Sequence, residues 1–207
     1  MSGFTTLMLD LFEREELNRF LGLQGAFIGL GGMVIFFVFP VQIPFYLAEN
    51  RVLNGSLVGL ALSLQTLISV FSALPFQTLK ARCSFTTILA ILFSAFAANH
   101  LILGFSGSYL VIVAALLLGG FGVGLFPPNS NGWLATVTPL SVRGKAVGGL
   151  TSVTFLGQFF SPLLTQPLIS SFGLANTFLI AAVVSIGTAL FFLTAARLAQ
   201  RPMAAAS

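Results

Sequence analysis

The chain has 207 residues, of which 57% are hydrophobic and only 7% charged, with nine bases against five acids. A soluble domain usually carries about a quarter charged residues, so a soluble fold is excluded and a chain built for the bilayer is implied. The bases stand singly or in pairs between apolar runs, as topology determinants do and unlike a nucleic-acid-binding patch, and Cys83 is the only cysteine, so no intrachain disulfide can form.

Taken in order, the opening stretch "MSGFTTLMLDLFEREELNRF" does not read as a signal peptide, because its charges follow its apolar residues. Residues 1–21 are expected to form a cytoplasmic amphipathic or linker segment. Six apolar runs follow, at 22–48, 55–79, 84–103, 108–137, 146–170 and 174–196, and a cytoplasmic tail over 197–207. Runs of this length can cross roughly 30 Å of hydrocarbon as helices. Backbone in lipid must satisfy its own hydrogen bonds, and the alternation of barrel strands is absent. The expected fold is an all-α membrane protein of six transmembrane helices.

The first span carries Phe39, Gln42 and Tyr46 at helical spacing behind Ile35, with Pro40 and Pro44 nearby and small Gly25 and Gly29 earlier. An aromatic face with a few polar groups suits an amphiphilic small molecule, although 23 Phe residues would also place such a stripe by chance. Glu49, beside Asn50 and Arg51, reads as a solvated helix end. The second span holds Gln65 and leads into "LPFQTLKARCSF", with Lys80 and Arg82. On the third span, Asn99 and His100 fall near the outer end, so His100 reads as interfacial. The fourth combines Gly120 and Gly124 with Pro127, Pro128, Asn129 and Asn131. The fifth opens on Arg143-Gly144-Lys145, runs through Gly144, Gly148 and Ser152 at i, i+4, i+8, and carries Gly157, Gln158, Pro162 and Pro167 in its middle. Such small-residue spacing lets helices approach closely, and proline bends them.

With a cytoplasmic N-terminus, Arg14, Arg19, Lys80, Arg82, Arg143, Lys145, Arg197 and Arg201 all fall inside and only Arg51 outside. That bias predicts both termini on the cytoplasmic side. Arg143 and Lys145 then lie on a cytoplasmic turn, as a topology anchor or a gating element. No Asp, Glu, Lys or Arg falls mid-span, where ion relays usually show themselves. The amides Gln42, Gln65, Asn129, Asn131 and Gln158 occupy four of the six spans. They read as interhelical hydrogen bonds or as the lining of one wet cavity, and their restriction to four helices favours the cavity.

"GFGVGLFPPNSNGWLATVTPLSVRGKAVGGLTSVTFLGQFFSPLLTQPLI" (120–169) resembles the tenth and eleventh helices of a major facilitator superfamily transporter, in particular the bacterial drug or sugar efflux permeases. "MVIFFVFPVQIPFYL" (33–47) is similar to the seventh helix of the same proteins. The resemblance implies the C-terminal six-helix half of such a fold, two three-helix inverted repeats, with the first, second, fourth and fifth helices lining the pathway. It implies secondary active transport of a small solute by alternating access, in the efflux direction, in a bacterial inner membrane, with no cofactor, metal or enzymatic activity. Gly157, Ser161 and Pro162 resemble a small-x-x-x-small-Pro element that packs and bends helices between halves, and Gln158 would then sit near the midplane. The family's Gly-x-x-x-Asp-Arg-x-Gly-Arg loop is represented by "LPFQTLKARCSF", which keeps the bases and lacks the Asp. Implied partners are the bilayer, a small solute, and either a separate first half or a second copy of the chain. The rival readings are a non-transporting membrane scaffold or a six-span serine protease using "GFSGS" (104–108). The protease is disfavoured because the only histidine, His100, precedes Ser106. Zinc chemistry has one His and one Cys to work with.

Overall fold

Prolines and glycines decide where these helices start, bend and stop. The computed structural model describes residues 14–200, with side chains from 30 to 198, and the described residues form helices joined by short turns. Helix α1 spans Arg14–Glu49, α2 Gly55–Ala73, α3 Phe76–Arg82, α4 Phe85–Phe105, α5 Tyr109–Val137 and α6 Arg143–Gln200, with a 3-10 turn at Leu140–Val142.

Two boundaries differ from the sequence expectation. Helix α1 runs unbroken through residue 21, so the expected linker joins the first span as one helix from Arg14 onward. The second span, expected over 55–79, is two helices. Pro75 has no N–H to give to the carbonyl four residues back, so α2 stops at Ala73 and the chain restarts as α3. Helix α6 is long enough for two crossings and is broken at Gly173, whose φ of 81° and ψ of 167° belong to glycine. Around the break, the Asn176 amide donates to the Phe172 carbonyl and the Thr177 hydroxyl to the Gly173 carbonyl. The two limbs, 143–172 and 174–200, supply the fifth and sixth crossings.

Side-chain contacts sort the turns onto two ends of the bundle. At one end the Tyr46 hydroxyl donates to the carbonyl of Leu103 at 2.6 Å, and Tyr109 to that of Leu57 at 2.9 Å. At the other, Asn129 donates to the carbonyl of Phe85 at 3.3 Å, and Arg143 to that of Ala135 at 2.7 Å. Lys80, Arg82, Arg143 and Lys145 therefore share one end, and Arg51 lies at the opposite one. Five helices satisfy the length and hydropathy of a membrane span when α6 is counted once. The chain is an integral membrane protein.

The core forms around α4, whose Ile88, Leu92, Phe93, Phe96 and Leu103 are fully buried. Phe39, Ile43 and Leu47 of α1 reach it from one side, Ile112 and Leu116 of α5 from another, and Phe178 and Phe192 of α6 from a third. Phe93 stacks on Phe192 at 5.8 Å, and Tyr46 meets Phe178 edge-on at 5.1 Å. Lipid tails are as apolar as these side chains, so close packing is what holds the bundle together. Helix α2 and the first limb of α6 stay at the edge and present most of their side chains outward.

Candidate functional site

Two seams of small residues attach the edge helices. On α5, a Cβ at Gly120 would strike the Gln65 carbonyl, and one at Gly124 would strike the Ser69 carbonyl and the Ser72 hydroxyl. Helix α2 thus lies backbone to backbone on α5, as the Gly120–Gly124 spacing predicts. Neighbouring Gly122 faces α4 in the same way, 2.9 Å from the Leu92 carbonyl by its would-be Cβ.

The second seam joins the first limb of α6 to α1. A Cβ at Gly144 or Gly148 would meet nothing within 4 Å among the described residues, and Ser152 is exposed among them and donates to its own helix at the Gly148 carbonyl. The buried line is Gly157, Ser161 and Thr165. A Cβ at Gly157 would come within 2.7 Å of the Leu30 carbonyl, and the Ser161 hydroxyl donates to the Val34 carbonyl at 2.9 Å. Gly25 and Gly29 belong to the part of α1 where the backbone alone is described.

One residue on from this seam runs a polar line. Gln158, Pro162 and Gln166 follow at i, i+4, i+8, with Gln158 half-buried and Gln166 exposed. Pro162 has no N–H, so the Gln158 carbonyl loses its usual helical donor beside the Gln158 amide. Two amides and a weakened carbonyl therefore lie on one outward surface of a transmembrane limb. Gln166 escaped the sequence reading; stepping eight residues on from Gln158 finds it.

The other expected residues are placed differently. Phe39, Gln42 and Tyr46, read as a face toward a ligand, turn into the core instead. Phe39 packs edge-on to His100 at 5.5 Å, and Tyr46 is tied to α4 through Leu103. The stripe is apolar enough to be covered by other aromatic rings, and its phenol finds a backbone acceptor. Gln65 and Asn129 are buried as well, at the contacts of α5 with α2 and α4. Asn131, two residues further, is exposed. The structure therefore does not bring the five amides into one open cavity.

His100 is a correction too. It is fully buried, its Nδ1 2.8 Å from the Phe96 carbonyl, and its neighbour Asn99 is buried against Gly119 with both amide atoms unpartnered among the described residues. The third span ends two residues beyond the expected boundary, and both side chains lie inside the bundle instead of at the interface. Ser106 accepts from the Ser108 backbone, so neither member of the hypothetical Ser–His pair is engaged with the other. No group of three or more His, Cys, Asp or Glu suited to a metal occurs among the described residues.

Arg143 bridges the end of α5 and the start of α6. Its guanidinium donates to the Ala135 carbonyl, among the last four of α5, where no helical donor follows and the dipole favours positive charge. Lys80 lies 4.2 Å over the Phe85 ring and donates to the Cys83 carbonyl.

The arrangement is chemically suited to contact a neutral or amphiphilic molecule through exposed amides, with no charge inside the spans. The family model described as Major Facilitator Superfamily matches residues 32–206. No curated protein matches the chain.

Proposed function

Since this chain belongs to the Major Facilitator Superfamily, a family of membrane transporters, we propose that it is one six-helix half of a secondary transporter that exports a neutral or lipophilic small solute by alternating access. The observation carrying this reading is the Gln158–Pro162–Gln166 line on a limb that packs on α1 through Gly157 and Ser161. An amide facing lipid alone lacks a partner. Against a solute pathway it has water and substrate. Asn131 on α5 is exposed like Gln166, and the buried Gln42, Gln65 and Asn129 brace the helices behind it. Arg143, Gly157 and Ser161 hold the limb in place while it moves against its counterpart. Drugs and sugars both fit a polar, uncharged lining.

A half of this kind completes its pathway with a separate first half or with a second copy, in a bacterial inner membrane with both termini cytoplasmic. Mass photometry of the purified chain in nanodiscs is expected to show a dimer. A strictly monomeric chain would leave the separate first half as the required partner.

The test of the pathway itself is efflux of a fluorescent lipophilic substrate from proteoliposomes containing the complete assembly. Gln158→Leu and Gln166→Leu are expected to lower flux about tenfold, the effect of losing roughly 1.4 kcal/mol of solute interaction, with folded yield unchanged. Normal flux in both variants would overturn the reading. A loss of folded protein matching the loss of flux would assign the amides to structure instead.

A further inference from the structure

His100 is the only histidine in the chain, and it stands where three helices meet. Phe39 of α1 approaches its ring at 5.5 Å and Phe178 of the second limb of α6 at 6.3 Å, and no part of the side chain is exposed. A carbonyl can only accept, so the Nδ1 that lies 2.8 Å from the Phe96 carbonyl carries the proton of the neutral ring. Nε2 is then a bare acceptor, buried and without a hydrogen-bond partner among the described residues. The Ile35 carbonyl of α1 lies near the ring, and it too has only lone pairs to offer. Next in the chain, Asn99 is pressed against Gly119 of α5 with neither amide atom partnered among the described residues.

A second proton on this ring would make a cation with no counter-ion. The one other titratable group nearby is the Tyr46 phenol, which meets Phe178 at 5.1 Å and keeps its proton on the Leu103 carbonyl. Glu49, the only acid whose side chain is described, is exposed at the end of α1. An unpaired charge among aromatic rings is costly, and opening the contact removes that cost by letting water reach the imidazolium. The same opening hydrates the Asn99 amide, so two unmet polar groups are relieved together. His100 stands five residues before the end of α4 at Phe105, about 7.5 Å along the axis at a rise of about 1.5 Å per residue. Water therefore has little more than one helical turn of packing to cross, at the end of the bundle that carries Arg51. We propose that His100 is a proton-operated latch: neutral, it lets α1 and the second limb of α6 close on α4, and protonation at Nε2 opens that contact at the Arg51 end. Histidine is the side chain suited to the task, because its charge changes under mildly acid conditions.

The test is hydrogen exchange read by mass spectrometry on the whole chain in nanodiscs, from about pH 7.5 to about pH 4.5, corrected for the intrinsic pH dependence of amide exchange. Acidification is expected to speed exchange at least about fivefold in residues 39–47 and 96–105 and to leave residues 61–72 of α2 unchanged. His100→Gln, neutral at every pH, is expected to abolish the increase. Selective nitrogen-15 labelling of histidine reads the same ring with no substitution, because the chain has one histidine. Its signal is expected to pass from the Nδ1–H form to the doubly protonated form as exchange rises, and it decides the matter alone if His100→Gln fails to fold. Faster exchange around a ring that stays neutral would overturn the proposal, as would ring protonation with unchanged exchange. So would no response down to about pH 4.5, an equal increase in α2, or an increase that survives His100→Gln.

Discussion

Arg51 sits at φ 64°, in the left-handed region, directly after α1. Its own N–H donates to the Ala48 carbonyl at 3.0 Å, and the Val52 N–H to the Leu47 carbonyl at 2.8 Å. Those two bonds close a helix with the geometry in which glycine is the usual residue. Arginine holds that conformation at a cost of about 1 kcal/mol. Replacing Arg51 with Gly is therefore expected to raise the thermal midpoint in detergent by a few degrees, and Arg51→Val to lower it. A fall with glycine would mean that the guanidinium, and not the turn, is what this position needs. Nothing in the spelling "AENRVLNG" marks Arg51 as left-handed, because the hydrogen bonds that impose it come from carbonyls three and five residues back.

At the scale of helices, what matters about a small residue is whether anything stands opposite it. Gly124→Leu would press a side chain into the Ser69 carbonyl and the Ser72 hydroxyl, so it is expected to separate α2 from α5 and remove most of the folded protein. Gly148→Ala meets nothing within 4 Å among the described residues and is expected to be neutral or to stabilise by about 1 kcal/mol through helix propensity. Folded yield and thermal unfolding in the same detergent compare the two. Equal effects would show that the α2–α5 seam is looser than these contacts require. Periodicity found both glycine pairs, and only the neighbouring helix separates them. The same limit explains Phe39, Gln42 and Tyr46. Spacing places them on one face, while the partner, α4 with its buried His100, comes from more than fifty residues away. Chain punctuation was more readable: the break before the sixth crossing at Gly173 matches the gap left between the last two apolar runs. Pro75, equally visible in "LPFQ", was passed over because the apolar run continues across it.

For the molecule as a whole, composition and the spacing of apolar runs were enough to read a membrane protein of five to six apolar helices, since the bilayer imposes length and hydrogen bonding on each helix separately, while the family was legible only through the resemblance of residues 120–169 and 33–47. The proposed pathway was not readable in the same way, because its surface would be what the described residues leave uncovered: the first limb of α6 and the outer side of α2. The distribution of charge carries one more consequence, through Cys83. This residue ends α3, half-buried, with its carbonyl held by Lys80 at the end of the bundle where the paired bases gather. As the lone thiol in 207 residues, it is a built-in reporter of sidedness. A membrane-impermeant maleimide should leave it untouched on sealed cells and label it once they are permeabilised. Labelling from outside would invert every helix at a stroke, and with it the side from which a solute enters.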